Sequence, residues 1–282
     1  MEKKHAYLII ANNKFEQLGF LLQCLDHPRN DFFILVDKKS SFTDENKKMI
    51  LSKVSLSNVF FCDRIPIFWG HYTQIKAEMK LFQMAFMQDK YYSYFHLLSG
   101  VDMPIVPVQN ILNFFDQHPN HIFLTMANMN DDVYRRVQYK YRWIKYTQRS
   151  GCSKTVSMLY KILNKISLSI QTMRKVDYFK SQGVKLGYAS NWVSLDRETV
   201  QLLIDNTEWI RKTFKYSYLC DELFIPTLLN KYPKFKRKIF YSQHVHDRPD
   251  EFQGNLRYIN WWGGRPTPGK MGINRKLNTQ FS

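Results

Sequence analysis

Three acidic stretches have residue types and spacing suited to chemistry. Asp221-Glu222 places two carboxyls between Cys220 and an apolar run. It reads as the start of a helix, where acids commonly cap because the helix dipole favours negative charge. Ser99-Gly100-Val101-Asp102 follows an uncharged, aromatic-rich run over 94–99 that predicts a strand buried on both faces. A carboxyl just past such a strand is well placed for binding, because loops converge at the carboxyl ends of strands in open α/β sheets. Asp37 closes a second apolar run, 32–36. Such an acid can accept hydrogen bonds from a ribose or a base, or it can simply form a turn. Two further patterns attract less weight. Asp196-Arg197-Glu198 has acid-x-acid spacing but reads as an N-cap followed by a first-turn acid. His244-Val245-His246-Asp247 contains metal-ligand types, yet no supporting acid or histidine cluster can be named, so no metal is expected there.

The elements that must position these residues follow from hydrophobic spacing. A strand over 6–10 leads to a helix that Asn13 is expected to cap, with Glu16 completing the reciprocal pair. Leu18, Leu21, Leu22 and Leu25 line one face of that helix, and the strand over 32–36 follows. Strand, helix, strand in this span is a βαβ unit, so the first two strands are parallel. A third strand is predicted over 58–62, and then a loop leads into a long helix striped by Ile75, Met79, Phe82 and Phe86. The strand over 94–99 comes next, with a helix over 108–117 and a strand over 121–126. This alternation argues for a doubly wound α/β sheet of nucleotide-binding type. Further on, strand character returns over 187–195, Asp196 caps a helix, and another strand is predicted over 239–242.

Charge is concentrated regionally. The chain has 41 Lys and Arg against 24 Asp and Glu, a formal charge of +17, which points to an anionic partner. Over 135–185 the only acid is Asp177. Aromatics and cations interleave over 134–146, a pattern able to stack on sugars or bases and to bind phosphate. Over 154–175, Leu159, Ile162, Leu163, Ile166, Ile170 and Met173 share one helical face, and Lys154, Lys161, Lys165, Arg174 and Lys175 lie off it. A basic amphipathic helix of this kind packs its apolar face on a core, or lies on an anionic membrane surface. No apolar run is long enough to span a bilayer, and the opening residues lack the pattern of a secretory signal, so a cytoplasmic protein is expected. The four cysteines are widely separated and expected to be reduced.

Taken together, several motifs resemble the core-2/I-branching β-1,6-N-acetylglucosaminyltransferase and peptide xylosyltransferase family (glycosyltransferase family 14), in its compact bacterial form. They are Leu35-Val36-Asp37-Lys38-Lys39, Trp69-Gly70-His71-Tyr72, Leu97-Leu98-Ser99-Gly100-Val101-Asp102-Met103-Pro104, the stretch 187–195, Cys220-Asp221-Glu222, and Leu256-Arg257-Tyr258-Ile259-Asn260-Trp261.

The resemblance implies a single GT-A-like (Rossmann-like) domain over 1–282, a mostly parallel sheet flanked by helices. It would comprise a nucleotide-sugar half over 5–130, a basic helical insertion over 131–186, an acceptor and catalytic half over 187–268, and a divergent tail over 269–282. It also implies an inverting transfer from a UDP-sugar, of N-acetylglucosamine first and of xylose or a further hexose as alternatives, to a hydroxyl of a saccharide or lipid-linked saccharide, in capsule, exopolysaccharide or lipopolysaccharide synthesis at the cytosolic face of the membrane. Sugar nucleotide and glycan would then be the partners, not nucleic acid. Glu222 matches the family's catalytic base, with Asp221 supporting it on the acceptor side. Asp37 matches its nucleotide-contacting acid, Ser99, Gly100 and Asp102 its donor-binding loop, and Trp261 an aromatic that stacks on the acceptor sugar. The family works without Asp-x-Asp, which this sequence also lacks, so no metal cofactor is implied. In place of the family's usual cationic segment, Arg265, Lys270 and Arg275 are the candidates for holding the diphosphate. Two other readings remain: a sugar-nucleotide-binding relative without activity, and a basic nucleic-acid-binding protein.

Overall fold

The computed structural model describes residues 3–147, 153–245 and 252–258. Its chain begins with β1 (Lys4–Ala11), α1 (Phe15–Leu25) and β2 (Asn30–Val36), and β1 and β2 pair in parallel from His5 opposite Asn30 to Ala11 opposite Val36. α2 (Asp44–Leu51), β3 (Asn58–Phe61) and α3 (Thr73–Gln88) precede β4 (Tyr92–Ser99), which lies parallel to β1 on its other side. Then come α4 (Val108–Gln117), β5 (Met126–Ala127), α5 (Asp131–Gln138), α6 (Ile144–Thr147) and α7 (Lys154–Met173). The remaining elements are β6 (Ser194–Asp196), α8 (Arg197–Asp205), α9 (Thr207–Phe214), α10 (Phe224–Lys231), α11 (Pro233–Lys236) and β7 (His244–Val245).

The main sheet has the order β3-β2-β1-β4-β6, parallel except for antiparallel β6, and β5 pairs with β7 in a small second sheet. This is the mostly parallel, helix-flanked sheet expected. Because successive strand residues point to opposite faces, Ala6, Leu8, Phe33, Leu35, Phe95 and Leu97 join one core with α3, α8 and α10. Tyr7, Ile9, Phe32, Ile34 and Val36 join a second core with Leu18, Leu21, Leu22 and Leu25 of α1. The chain leaves β1 towards β2 and β3 on one side and returns through β4 on the other. The crevice between the carboxyl ends of β1 and β4 is therefore the switch point at which open α/β sheets bind ligands.

Several local expectations are corrected. Asn13 does not cap α1: Lys14 is the N-cap residue, in the left-handed region at φ 51°, and no side chain bonds to the helix start. That backbone turn brings the chain off Ala11 abruptly, which leaves Asn13 outside capping geometry. The strand predicted over 121–126 is reduced to isolated bridges, Ile122 with Ile239 and Phe123 with Ser194, followed by the two residues of β5. The strand predicted over 239–242 is likewise only the partner in that first bridge, and of the stretch 187–195 only its end enters β6. Ile122, Phe123 and Leu124 are buried and Ile239, Phe240 and Tyr241 half-buried, yet among the described residues the backbone there makes only these bridges, so periodicity alone overstates strand length. Asp196 does cap its helix, its Oδ1 accepting from the Thr199 N–H at 3.1 Å. Cys24, Cys62 and Cys220 are free thiols.

Candidate functional site

At the carboxyl end of β4 the chain turns through Ser99-Gly100-Val101-Asp102. The turn is closed by Asp102 itself: its Oδ2 accepts from the Ser99 N–H at 3.0 Å, and its own N–H donates to Ser99 O at 3.1 Å. Gly100 presses against β1, donating its N–H to Ile10 O at 2.9 Å. A Cβ there would sit 2.8 Å from Ala11 Cβ and 3.2 Å from Ala11 Cα. The close approach of β1 is thus by itself a packing reason for glycine at this position. Burial raises the Asp102 carboxyl above its ordinary range, opposed by the Ser99 N–H and by the charge of Arg257. Arg257 is held in turn by bonds from Nη1 to Asn255 O (3.1 Å) and from Nη2 to Ser194 Oγ (3.3 Å).

Asp37 lies at the carboxyl end of β2, on the far side of β1 from β4, and is buried. Its Oδ1 accepts from the N–H groups of Lys39 (3.0 Å) and Ile67 (3.2 Å), and its Oδ2 pairs with Lys39 Nζ at 3.3 Å. The turn-forming contacts are therefore all made. They tie the loop after β2 to the loop after β3.

Asp221 and Glu222 come just before α10, but neither caps it. Leu223 is the N-cap residue, and no side chain bonds to the helix start. Instead both acids point to tertiary partners. Glu222 Oε2 accepts from Arg136 Nη1 at 2.7 Å, in an ion pair whose carboxylate is about a third exposed (34%). Arg136 comes from α5, has its guanidinium 5.4 Å from the ring centre of Tyr188, and accepts at its backbone carbonyl from the Tyr218 N–H. Asp221 is buried; its Oδ2 accepts from Gln74 Nε2 at 2.8 Å, and its Oδ1 has no hydrogen-bond partner among the described residues. Burial, with the adjacent Glu222 charge second, lifts the Asp221 carboxyl to about 6. Behind it, Glu78 of α3 is almost fully buried (1% exposed), and burial with the Asp221 charge pushes its carboxyl well above the usual range.

The Trp69-Gly70-His71-Tyr72 motif is joined to the same cluster. Gln74 accepts from the Gly70 N–H while donating to Asp221, and Gly70 O accepts from the Leu219 N–H at 3.0 Å. Gly70 has φ 71°, and a Cβ on it would meet the Tyr218 ring at 2.5 Å. Both its conformation and the ring exclude a side chain.

Antiparallel pairing brings these pieces to one edge. His96 lies opposite Ser194, so β4 running forward to Asp102 is matched by the other chain running back through Trp192 to Ala189. The Ala189 N–H donates to Glu222 O at 3.0 Å. Glu222 and Asp102 therefore flank the same carboxyl edge of the sheet. Of the remaining candidates, Trp261, Arg265, Lys270 and Arg275 lie outside the described residues, as do His246 and Asp247. Sequence reasoning did not assign Arg136, Gln74 or Glu78 to the site, and it named Arg257 only as part of a family motif. Glu78 and Gln74 stand four residues apart on α3 and so share a helix face, the one signal that could have singled them out. Among the described residues no cluster of three or more His, Cys, Asp or Glu is arranged to hold a metal.

The profile described as Core-2/I-Branching enzyme matches residues 5–281. The human β-1,3-galactosyl-O-glycosyl-glycoprotein β-1,6-N-acetylglucosaminyltransferase is 25% identical over 259 residues, covering 91% of this chain and 54% of its own length. Xylosyltransferase sqv-6 of Caenorhabditis briggsae is 23% identical over 264 residues, covering 92% of this chain and 28% of its own. The chain thus spans about half the length of the first relative and less of the second. Among solved structures, mouse xyloside xylosyltransferase 1 in its apo form is similar at a TM-score of 0.41 and 11% identity, covering 83% of this chain and 84% of that one. The profile runs nearly end to end through the motifs that meet at the carboxyl edge of the sheet, and on that ground this chain belongs to the Core-2/I-branching enzyme family.

Proposed function

We propose that the chain is an inverting glycosyltransferase of GT-A type that moves a sugar, N-acetylglucosamine in the first instance and xylose as the alternative, from a UDP-sugar to a hydroxyl of a saccharide or lipid-linked saccharide acceptor. Assembly of a surface polysaccharide is the setting that suits this chemistry. In this reading Glu222 takes the proton from the acceptor hydroxyl as its oxygen attacks the anomeric carbon. The bond from that carbon to the diphosphate oxygen breaks, UDP leaves with the bonding electrons, and attack from the opposite face inverts the configuration. Arg136 holds one carboxylate oxygen and so orients the base. Asp221, fixed by Gln74, sets the backbone that presents Glu222.

The donor sits over Ser99, Gly100 and Asp102 with its nucleotide towards Asp37, and Trp261 stacks on the acceptor. The charge of the leaving diphosphate is met by basic side chains, Arg265, Lys270 and Arg275, without a metal. The supporting observation is the Glu222–Arg136 pair at the carboxyl edge of the sheet, within a chain that the family profile spans over residues 5–281.

A screen of radiolabelled UDP-sugars for slow donor hydrolysis, with and without EDTA, tests the reading. Hydrolysis of one donor, unaffected by EDTA and lowered at least about 100-fold by Glu222→Gln, is expected. Dependence on added divalent metal would remove the metal-free part. Tight UDP binding without turnover of any donor would favour a non-catalytic relative.

A further inference from the structure

α7 is amphipathic, but its apolar side is turned away from the protein. At 100° per residue, Ser157, Tyr160, Asn164, Leu168 and Gln171 share a face, and this is the one that meets the fold: Ser157 and Gln171 are the buried residues of the helix. Ser157 Oγ donates to Thr147 O at 2.8 Å, and Gln171 Oε1 accepts from the Lys140 N–H at 2.9 Å. Tyr160 stacks on Tyr146 with ring centres 4.7 Å apart. The opposite face carries Leu159 (54% exposed), Ile162 (48%), Ile166 (51%), Ile170 (42%) and Met173 (79%). The sequence leaves core packing open as an explanation for this stripe, and these exposures exclude it. Monomeric proteins rarely leave a contiguous apolar patch of this kind in water.

The charge around the stripe selects what covers it. Lys154, Lys161 and Lys165 run along one flank, Arg174 and Lys175 follow the helix end, and α7 contains no Asp or Glu. A second copy laid face to face would set these lysines against their like. Residues 259–282, which carry Arg265, Lys270, Arg275 and Lys276 and no acid, are the wrong sign as well. A surface that is apolar just beneath a layer of negative charge fits both features, and that is a bilayer containing anionic phospholipid.

We propose that α7 is a membrane-surface helix, lying in the plane of an anionic bilayer with its apolar face among the upper acyl chains and its lysine flank at the phosphates. Among the described residues no helix is long and apolar enough to cross a membrane, so the contact is peripheral for this part of the chain. α7 is about 30 Å long, at 1.5 Å per residue. It is anchored at Lys140, four residues after Arg136, the partner of Glu222. This tether would hold the catalytic edge near a lipid-linked acceptor. That last link rests on the proposed function, whereas lipid binding does not.

The test is sedimentation of the full chain with vesicles of phosphatidylcholine, alone or mixed with phosphatidylglycerol, at low and molar salt. Retention on the mixed vesicles only, released by salt, is expected. Replacing two lysines, Lys161→Gln with Lys165→Gln, should weaken it about 30-fold, on the scale of roughly 1 kcal/mol per basic residue near the surface. Ile162→Ser with Ile166→Ser should abolish retention while leaving circular dichroism and melting unchanged. Failure to bind mixed vesicles at low salt overturns the proposal. So does equal retention by neutral vesicles, or a concentration-dependent dimer dissolved by the isoleucine changes. Donor hydrolysis measured without vesicles reports on the glycosyltransferase reading separately.

Discussion

Arg136 Nη1 lies 2.7 Å from Glu222 Oε2, joining residues 86 positions apart in sequence. Neither has that geometry in isolation: α5 presents the guanidinium, and the turn before α10 presents the carboxylate.

If Glu222 is the base, Glu222→Gln keeps the shape and the bond to Arg136 but loses proton acceptance. Transfer should fall by about 10²–10⁴-fold, the usual contribution of general base catalysis. UDP binding by calorimetry should stay within a factor of about 3.

Arg136 is a positioning residue, so its loss should act on kcat more than on the KM for donor. Arg136→Ala should lower kcat about 100-fold, the effect of a small misplacement of a reacting group. Arg136→Lys should recover only part, because a point charge does not reproduce the planar fork. Steady-state kinetics with varied donor separates the two parameters, and a raised KM with kcat unchanged would argue for a role in donor binding instead.

Gly100→Ala places a methyl 3.2 Å from a backbone atom of β1. A loss of about 1–3 kcal/mol of stability is expected from such overpacking, seen as a lower urea midpoint. Ala11→Gly in the same chain should restore part of it, since Ala11 Cβ is the nearest of the atoms met.

The pH dependence of stability should have two opposed limbs. His5 and His96 are buried side by side, with His5 Nδ1 3.0 Å from His96 Nε2. Burial brings His5 down to about 3 and His96 well below its ordinary value. Below about pH 6.5 the unfolded chain takes up protons that the folded chain refuses, so stability falls towards acid. Asp221 and Glu78 act in the other direction, because their folded values are raised. The folded chain keeps their protons longer than the unfolded one, and this advantage is lost as pH rises through about 6 for Asp221 and above the usual carboxylate range for Glu78. Melting temperature should therefore peak in mildly acidic buffer. Glu78→Gln should gain on the parent as pH rises from about 5 to 8, and parallel calorimetric curves would refute the assignment.

The βαβ opening, the buried strand ending at Ser99, the long helix with Ile75 and Phe82, and the Asp196 cap were legible in the sequence. Each depends on neighbours within a few residues, where spacing alone decides which face is apolar and which polar atom reaches a backbone N–H. Glu222 was reachable only through family resemblance, because its local pattern is that of a capping acid. Tertiary structure decided what local spacing could not. It turned Asp221 and Glu222 from the helix start towards Gln74 and Arg136, gave Gly100 to the close approach of Ala11, and set the polar face of α7 inward. The physical reason is the same in all three. Which partner a side chain meets, and which face of a helix is covered, depend on contacts between segments distant in sequence, and hydrophobic periodicity carries no record of them.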